Sequence, residues 1–172
     1  MTLIIPHTES LGWSPKDKDT LLVAIVECLR MPPADLPHGS ISSWDVSAVT
    51  DMSGLFIDST GDIVPGADKF NGDLSKWKVS RVTDMSAMFY SASSFNADLS
   101  KWDVSGVKYM IEMFNGASSF AGKLCGTWLI SKADKHGMFE GSSGEICGKT
   151  LTDTPQPSPW PLPHGNHHSV QC

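Results

Sequence analysis

Aligned on tryptophan, the chain lays down one order of apolar and polar positions again and again. SSWDVSAVTDMSGLF starts at Ser42, SKWKVSRVTDMSAMF at Ser75 and SKWDVSGVKYMIEMF at Ser100. Trp44, Trp77 and Trp102 are each followed twelve residues later by phenylalanine, at Phe56, Phe89 and Phe114. A fourth, shortened copy runs from Trp128 to Phe139. Upstream, Phe70-Asn71-Gly72-Asp73-Leu74 matches Phe95-Asn96-Ala97-Asp98-Leu99, and more loosely Phe120-Ala121-Gly122-Lys123-Leu124. The phenylalanine step is 25 residues from Phe89 to Phe114 to Phe139, but 33 from Phe56 to Phe89, because eight extra residues lie between Ile57 and Phe70. A unit this short cannot bury its own apolar face, so repeats of this kind stack and share a core. The expected core positions are Leu74, Trp77, Val79, Val82, Met85, Met88 and Phe89, with their counterparts one unit on.

Each unit has two textures. DLSKWDVS is short and mixes β-branched with aromatic residues, which predicts an extended segment. VTDMSAMF spaces its apolar residues close to the helical period, with Ser80 or Thr83 available as N-cap. SASSFN, from Ser91, is small and polar and predicts the return turn. A strand, a turn, a short helix and a turn in about 25 residues is the arithmetic of a leucine-rich-type repeat. The expected fold class is therefore an α/β solenoid, a leucine-rich-repeat-like stack of about four units.

The expected organisation has three parts. Residues 1–37 hold an N-terminal capping helix, residues 38–148 the repeats, and residues 149–172 an extended proline-rich tail. Residues 11–31 carry the helix, with Ser14 before Pro15 at its start and Leu21, Leu22, Ile25, Val26 and Leu29 as its apolar face.

The phrases SSWDVSAVTDMSGLF, FNGDLSKWKVSRVTDMSAMFYSASSFN and ADLSKWDVSGVKYMIEMFNGASSF resemble the BspA-like leucine-rich repeat family, also described as a mycoplasma repeat of unknown function, DUF285. The family pattern is similar to WDVSNVTDMSxMFxGCSSFNQDLSxW, and the resemblance covers roughly residues 38–144. It implies a repeat scaffold without catalytic residues, of a kind often found in bacterial surface proteins and adhesins. Three departures stand out. Ala92 and Ala117 occupy positions where the family often has cysteine, the first unit carries the insertion, and the array is short.

Charge narrows the partners. The formal net charge is −6, with no basic run, so the chain lacks the electrostatic footprint of a nucleic-acid binder. The most apolar stretch, Leu21 to Leu29, is too short to span a bilayer, and no targeting signal is visible. The sequence does not fix the compartment: a secreted or cell-surface place and an organelle both stay open.

Candidate contact residues follow from stacking. In-register units place Asp73, Lys76, Lys78, Asp98, Lys101 and Asp103 on one strand-side face, the candidate interaction face. Opposite charges alternate in the row Asp45, Lys78, Asp103. The insertion is a candidate contact loop with Asp58, Asp62 and Asp68; its spacing is not that of an EF-hand and no glutamate closes it. In the tail, prolines fall every second residue from Pro155 to Pro163, and Trp160 is a candidate anchor onto a partner or back onto the domain. His164, His167 and His168 could offer only weak metal binding. Of four cysteines, Cys125 and Cys147 lie about one unit apart, where a disulfide is plausible; four cysteines allow three pairings, and free thiols are the alternative.

No phosphate loop, HExxH or GxSxG is present. The expected role is non-enzymatic, without cofactor or metal. It is a protein-interaction scaffold, an accessory or structural subunit docking on a larger, multisubunit assembly. The alternative is a secreted or cell-surface adhesin recognising protein or glycan.

Overall fold

The computed structural model describes residues 13–148. Helix α1 spans Lys18–Arg30. Its N-cap is Asp17, whose side chain accepts from the Thr20 N–H, so the helix begins three residues beyond Pro15. It buries Leu21, Ala24, Ile25, Cys28 and Leu29 against the first unit. Lys18 reaches down to that unit, donating to Ser53 Oγ at 2.7 Å and lying 3.8 Å from Asp51.

The α/β solenoid expectation is overturned. Among the described residues the only other α-helix is α2, Thr127–Ile130, and the only sheet is a parallel pair of two-residue strands, β1 (Lys123–Leu124) with β2 (Glu145–Ile146). The VTDMSAMF segments are turns, not helices. The cause lies at one slot in the unit. Gly54, Ala87, Glu112 and Gly137 all take positive φ, at 57°, 52°, 54° and 64°. A second slot, Ser91, Gly116 and Gly141, does the same at 53°, 72° and 70°. A residue in the left-handed region ends a right-handed helix, so only single turns survive.

The backbone groups freed in this way bond to the neighbouring unit. N–H groups of Met85, Ala87, Phe89 and Ser91 donate to carbonyls of Tyr109, Ile111, Met113 and Asn115 at 2.7–2.9 Å. The same ladder recurs from Met110, Glu112, Phe114 and Gly116 to Asp134, His136, Met138 and Glu140, each at 2.8 Å. Isolated parallel bridges join Asp51 to Asp84, Asp84 to Tyr109 and Tyr109 to Asp134.

Beneath these turns lie aromatic columns. Phe56, Phe89, Phe114 and Phe139 follow one another at centroid spacings of 5.9, 5.5 and 5.6 Å. Phe70, Phe95 and Phe120 form a second column at 6.0 and 5.9 Å. The columns touch within each unit, Phe89 to Phe95 at 3.9 Å and Phe114 to Phe120 at 4.0 Å. Trp44, Trp77 and Trp102 make a third at 6.4 and 6.5 Å, and Trp13 continues it edge-on at 4.8 Å from Trp44. Offset and stacked rings at these distances add about 0.5–1.5 kcal/mol per pair beyond area burial. Each buried indole also needs an acceptor for its N–H. Trp77, Trp102 and Trp128 donate to the carbonyls of Ile41, Leu74 and Leu99, each in the preceding unit.

The insertion folds back on itself. Ile57 and Ile63 form an antiparallel bridge, the Val64 N–H donates to Phe56 O at 2.9 Å, and Val64 and Ala67 are buried. Gly66, at φ 95°, passes so close to α1 that a Cβ there would lie 3.4 Å from Leu29 O.

Candidate functional site

The site is built from short Asp-x-Ser turns. An aspartate whose carboxylate accepts from the N–H two residues on closes an Asx-turn, a local alternative to helix or ladder. Ser75 N–H donates to Asp73 Oδ1 at 2.9 Å, Ser100 N–H to Asp98 Oδ1 at 2.9 Å and Ser105 N–H to Asp103 Oδ1 at 3.1 Å. Asp51 and Asp84 do the same for Ser53 and Ser86 at 2.8 Å. The aspartates thus recur because each holds a turn, not because they sit at helix starts.

All six residues of the candidate face, Asp73, Lys76, Lys78, Asp98, Lys101 and Asp103, are exposed. Hydrogen bonding from Ser75, side chain first and then backbone, holds the Asp73 carboxyl below its usual range; partial desolvation opposes this and Lys76 assists. Asp98 is lowered in the same way by Ser100, with help from Lys101 and opposition from desolvation and Asp73. Asp103 is lowered by Ser105. The carboxylates therefore stay charged acceptors well into the acid range.

The structure divides the face. Asp73 and Asp98 line an open groove of about 370 Å³ with Ser40, Ser42, Asn71 and Asn96. Lys76, Lys78, Lys101 and Asp103 lie outside that lining. The two asparagines form a ladder. Asn96 N–H donates to Asn71 Oδ1 at 2.8 Å, and Ala121 N–H to Asn96 Oδ1 at 3.1 Å. This row was not singled out from sequence, although the Phe-Asn dipeptide at a 25-residue step was its signal.

The three insertion aspartates do not converge. Asp58 Oδ1 accepts from the Thr60 N–H and hydroxyl and from the Asp62 N–H, and Thr60 Oγ1 also lies 3.0 Å from Asp62 Oδ2. Those hydrogen bonds, with Thr60 foremost, lower the Asp58 carboxyl. Asp68 is half-buried elsewhere, its carbonyl accepting from Ser94 N–H and Ser93 Oγ. Among the described residues no three His, Cys, Asp or Glu side chains gather to hold a metal ion.

Cys125 and Cys147 are joined as a disulfide, with Cα atoms 5.0 Å apart, directly beyond the β1–β2 pair. Cys28, buried in α1, is also disulfide-bonded. Trp160 and the histidines of the tail lie outside the described residues. Among the described residues no helix is long and apolar enough to cross a membrane.

A family model described as "Mycoplasma protein of unknown function, DUF285" matches residues 33–146. No curated protein and no solved structure matches the chain. The model spans the ladder, the three aromatic columns and the groove, and the chain belongs to the DUF285 family.

Proposed function

We propose that this protein is a non-enzymatic protein-interaction scaffold, an accessory or structural subunit that docks on a larger assembly through its exposed charged face. One observation carries the reading. Lys76, Lys78 and Lys101 are exposed on rigid, aromatic-backed units, and none of them makes a salt bridge among the described residues. Aspartates on the same face are committed to holding turns, so the lysines are the side chains left for a partner. The backbone that carries them is already held by the ladder, so binding has to immobilise the side chains alone. A moderately acidic chain with isolated lysines suits a protein partner with matching carboxylates better than nucleic acid. Within DUF285, the phrases WDVS, VTDMS and MF support the narrower BspA-like leucine-rich repeat assignment.

A second reading is a secreted or cell-surface adhesin recognising protein or glycan. The Cys125–Cys147 disulfide and the disulfide-bonded Cys28 favour it, because such bonds persist in oxidising compartments.

The test is affinity capture from the native source with cross-linking and mass spectrometry. The wild-type chain is compared with a variant carrying Lys76→Glu, Lys78→Glu and Lys101→Glu. A complex of fixed stoichiometry that the triple variant loses supports the subunit reading. Equal capture by both chains overturns this face as the docking surface. Retention on cell-surface material alone moves the assignment to the adhesin.

A further inference from the structure

Two neighbouring units repeat a triplet of asparagine, a small residue and aspartate, as Asn71-Gly72-Asp73 and Asn96-Ala97-Asp98. The middle residue faces the core. A Cβ on Gly72 would lie 2.8 Å from the Phe70 ring and 3.1 Å from Ile41 Cγ2, and Ala97 packs against the buried cluster. The residues on either side of it reach the surface. Asn71 is half-buried, Asp73, Asn96 and Asp98 are exposed, and all four line the open groove.

The polar atoms they bring are fixed from behind. Asn71 Oδ1 accepts from the Asn96 N–H and Asn96 Oδ1 from the Ala121 N–H. The atom facing an N–H must be the oxygen, so each amide has one orientation and Nδ2 is its remaining group. Among the described residues neither Nδ2 has an acceptor. Asp73 and Asp98 are held in a similar way by Ser75 and Ser100. A carboxylate offers about four lone-pair sites, and the turn takes only those facing one serine. Each rung therefore carries a donor and an acceptor, Asn71 with Asp73 and Asn96 with Asp98. The rungs are spaced as the rings beneath them, 6.0 Å from Phe70 to Phe95.

This combination selects its ligand. An apolar group would find only Gly72 and Ala97 to pack on and would leave the polar atoms unpaired. An anion would face two carboxylates held in the charged form. A cation would suit the carboxylates but not the amide donors beside them. A hydroxyl accepts from an N–H and donates to a carboxylate at once. A saccharide carries several hydroxyls on a ring of fixed shape, so it meets both rungs while losing little freedom. The groove, at about 370 Å³, has the size of a small-ligand site.

We infer that the groove binds a neutral saccharide, whose hydroxyls accept from Asn71 and Asn96 Nδ2 and donate to the carboxylates of Asp73 and Asp98. The site stops where the triplet stops: the next unit has Ala121-Gly122-Lys123, and Lys123 is paired with Glu145 at 2.8 Å. Its ligand class is the glycan of the adhesin reading, on which the biological setting rests; the groove itself stands apart from the lysine face, because no lysine lines it.

Titration of the full-length chain with glucose, galactose, mannose, N-acetylglucosamine and their disaccharides, followed by nitrogen–proton correlation NMR, tests it. The side-chain amide signals of Asn71 and Asn96 are expected to shift to saturation with at least one of these sugars. A double variant, Asp73→Asn with Asp98→Asn, keeps the turns, because asparagine closes them as well. It is expected to bind the same sugar at least ~10-fold more weakly, as the loss of charge-assisted hydrogen bonds requires. Undiminished binding by the double variant overturns the proposal, and so does the absence of shifts at both amides with every sugar. Shifts caused by an uncharged extended peptide and by none of the sugars overturn it too, by giving the groove to protein. Sugar binding by a chain that cell-surface material does not retain upholds the groove and removes the adhesin reading alone.

Discussion

The central units and the last described unit hold themselves together differently. Between Ser75 and Ser119 the backbone ladder is backed by side-chain columns: stacked phenylalanines, stacked tryptophans, indole N–H groups reaching back one unit, and the asparagine ladder. In the last unit several of these lapse. Ala121 stands where Asn71 and Asn96 stood, and Phe139 is only partly buried. There the chain uses backbone pairing between β1 and β2, the Lys123–Glu145 ion pair at 2.8 Å and the Cys125–Cys147 disulfide. Where the side-chain repetition thins, a strand pair, an ion pair and a covalent tie are added to the ladder.

That contrast can be broken from the centre outward. Phe89→Ala removes a fully buried ring that touches Phe56, Phe95, Phe114 and Trp102, and should cost about 3–5 kcal/mol. Denaturant unfolding measures it, and a loss below about 1 kcal/mol would show that the columns are not the main support. Replacing Cys125 and Cys147 together by alanine should cost about 2–4 kcal/mol, by freeing a 22-residue loop in the unfolded chain. Exchange should then quicken around residues 120–147 first, leaving Ala87 and Glu112 protected. Uniform quickening along the chain would erase the distinction between the two regions.

Asn96→Ala leaves the Ala121 N–H without its acceptor and should cost about 1 kcal/mol, visible as a small fall in denaturation midpoint. Acid should bring the smallest change. The carboxyls of Asp73, Asp98 and Asp103 are lowered below 3.8 in the folded chain. Their contribution is present above that value and is lost as pH falls through the lowered folded values. Asp98→Asn should therefore flatten the acid limb of stability against pH, and an unchanged limb would remove the Asx-turns from its cause.

Much of this was readable in the sequence, because the columns are a direct print of the repeat. Leu74, Trp77, Val79, Val82, Met85, Met88 and Phe89 are all buried as the alignment implies. The helix in each unit was misread for a definite reason. Apolar residues at Val82, Met85, Met88 and Phe89 suit a helix, but a run of single turns separated by left-handed residues brings the same positions inward. Gly54 and Gly137 marked that slot openly, while Ala87 and Glu112 concealed it, tolerating a conformation that costs about 1–2 kcal/mol. The candidate face was legible as exposed charge, yet the division of labour within it was not. Only the Ser75 and Ser100 N–H distances show which carboxylates are spent on turns.

The eight-residue insertion has a further consequence. It separates Phe56 from Phe70 in sequence, yet their rings still meet at 4.7 Å, close to the 3.9 and 4.0 Å of the uninterrupted units. The corner between the two phenylalanines is therefore a splice point. Lengthening there leaves the columns in register, so a foreign loop spliced just ahead of Ala92 or Ala117, the counterparts of Ala67, is expected to leave the rings stacked, turning a molecule of fixed rungs into a display frame of chosen contents.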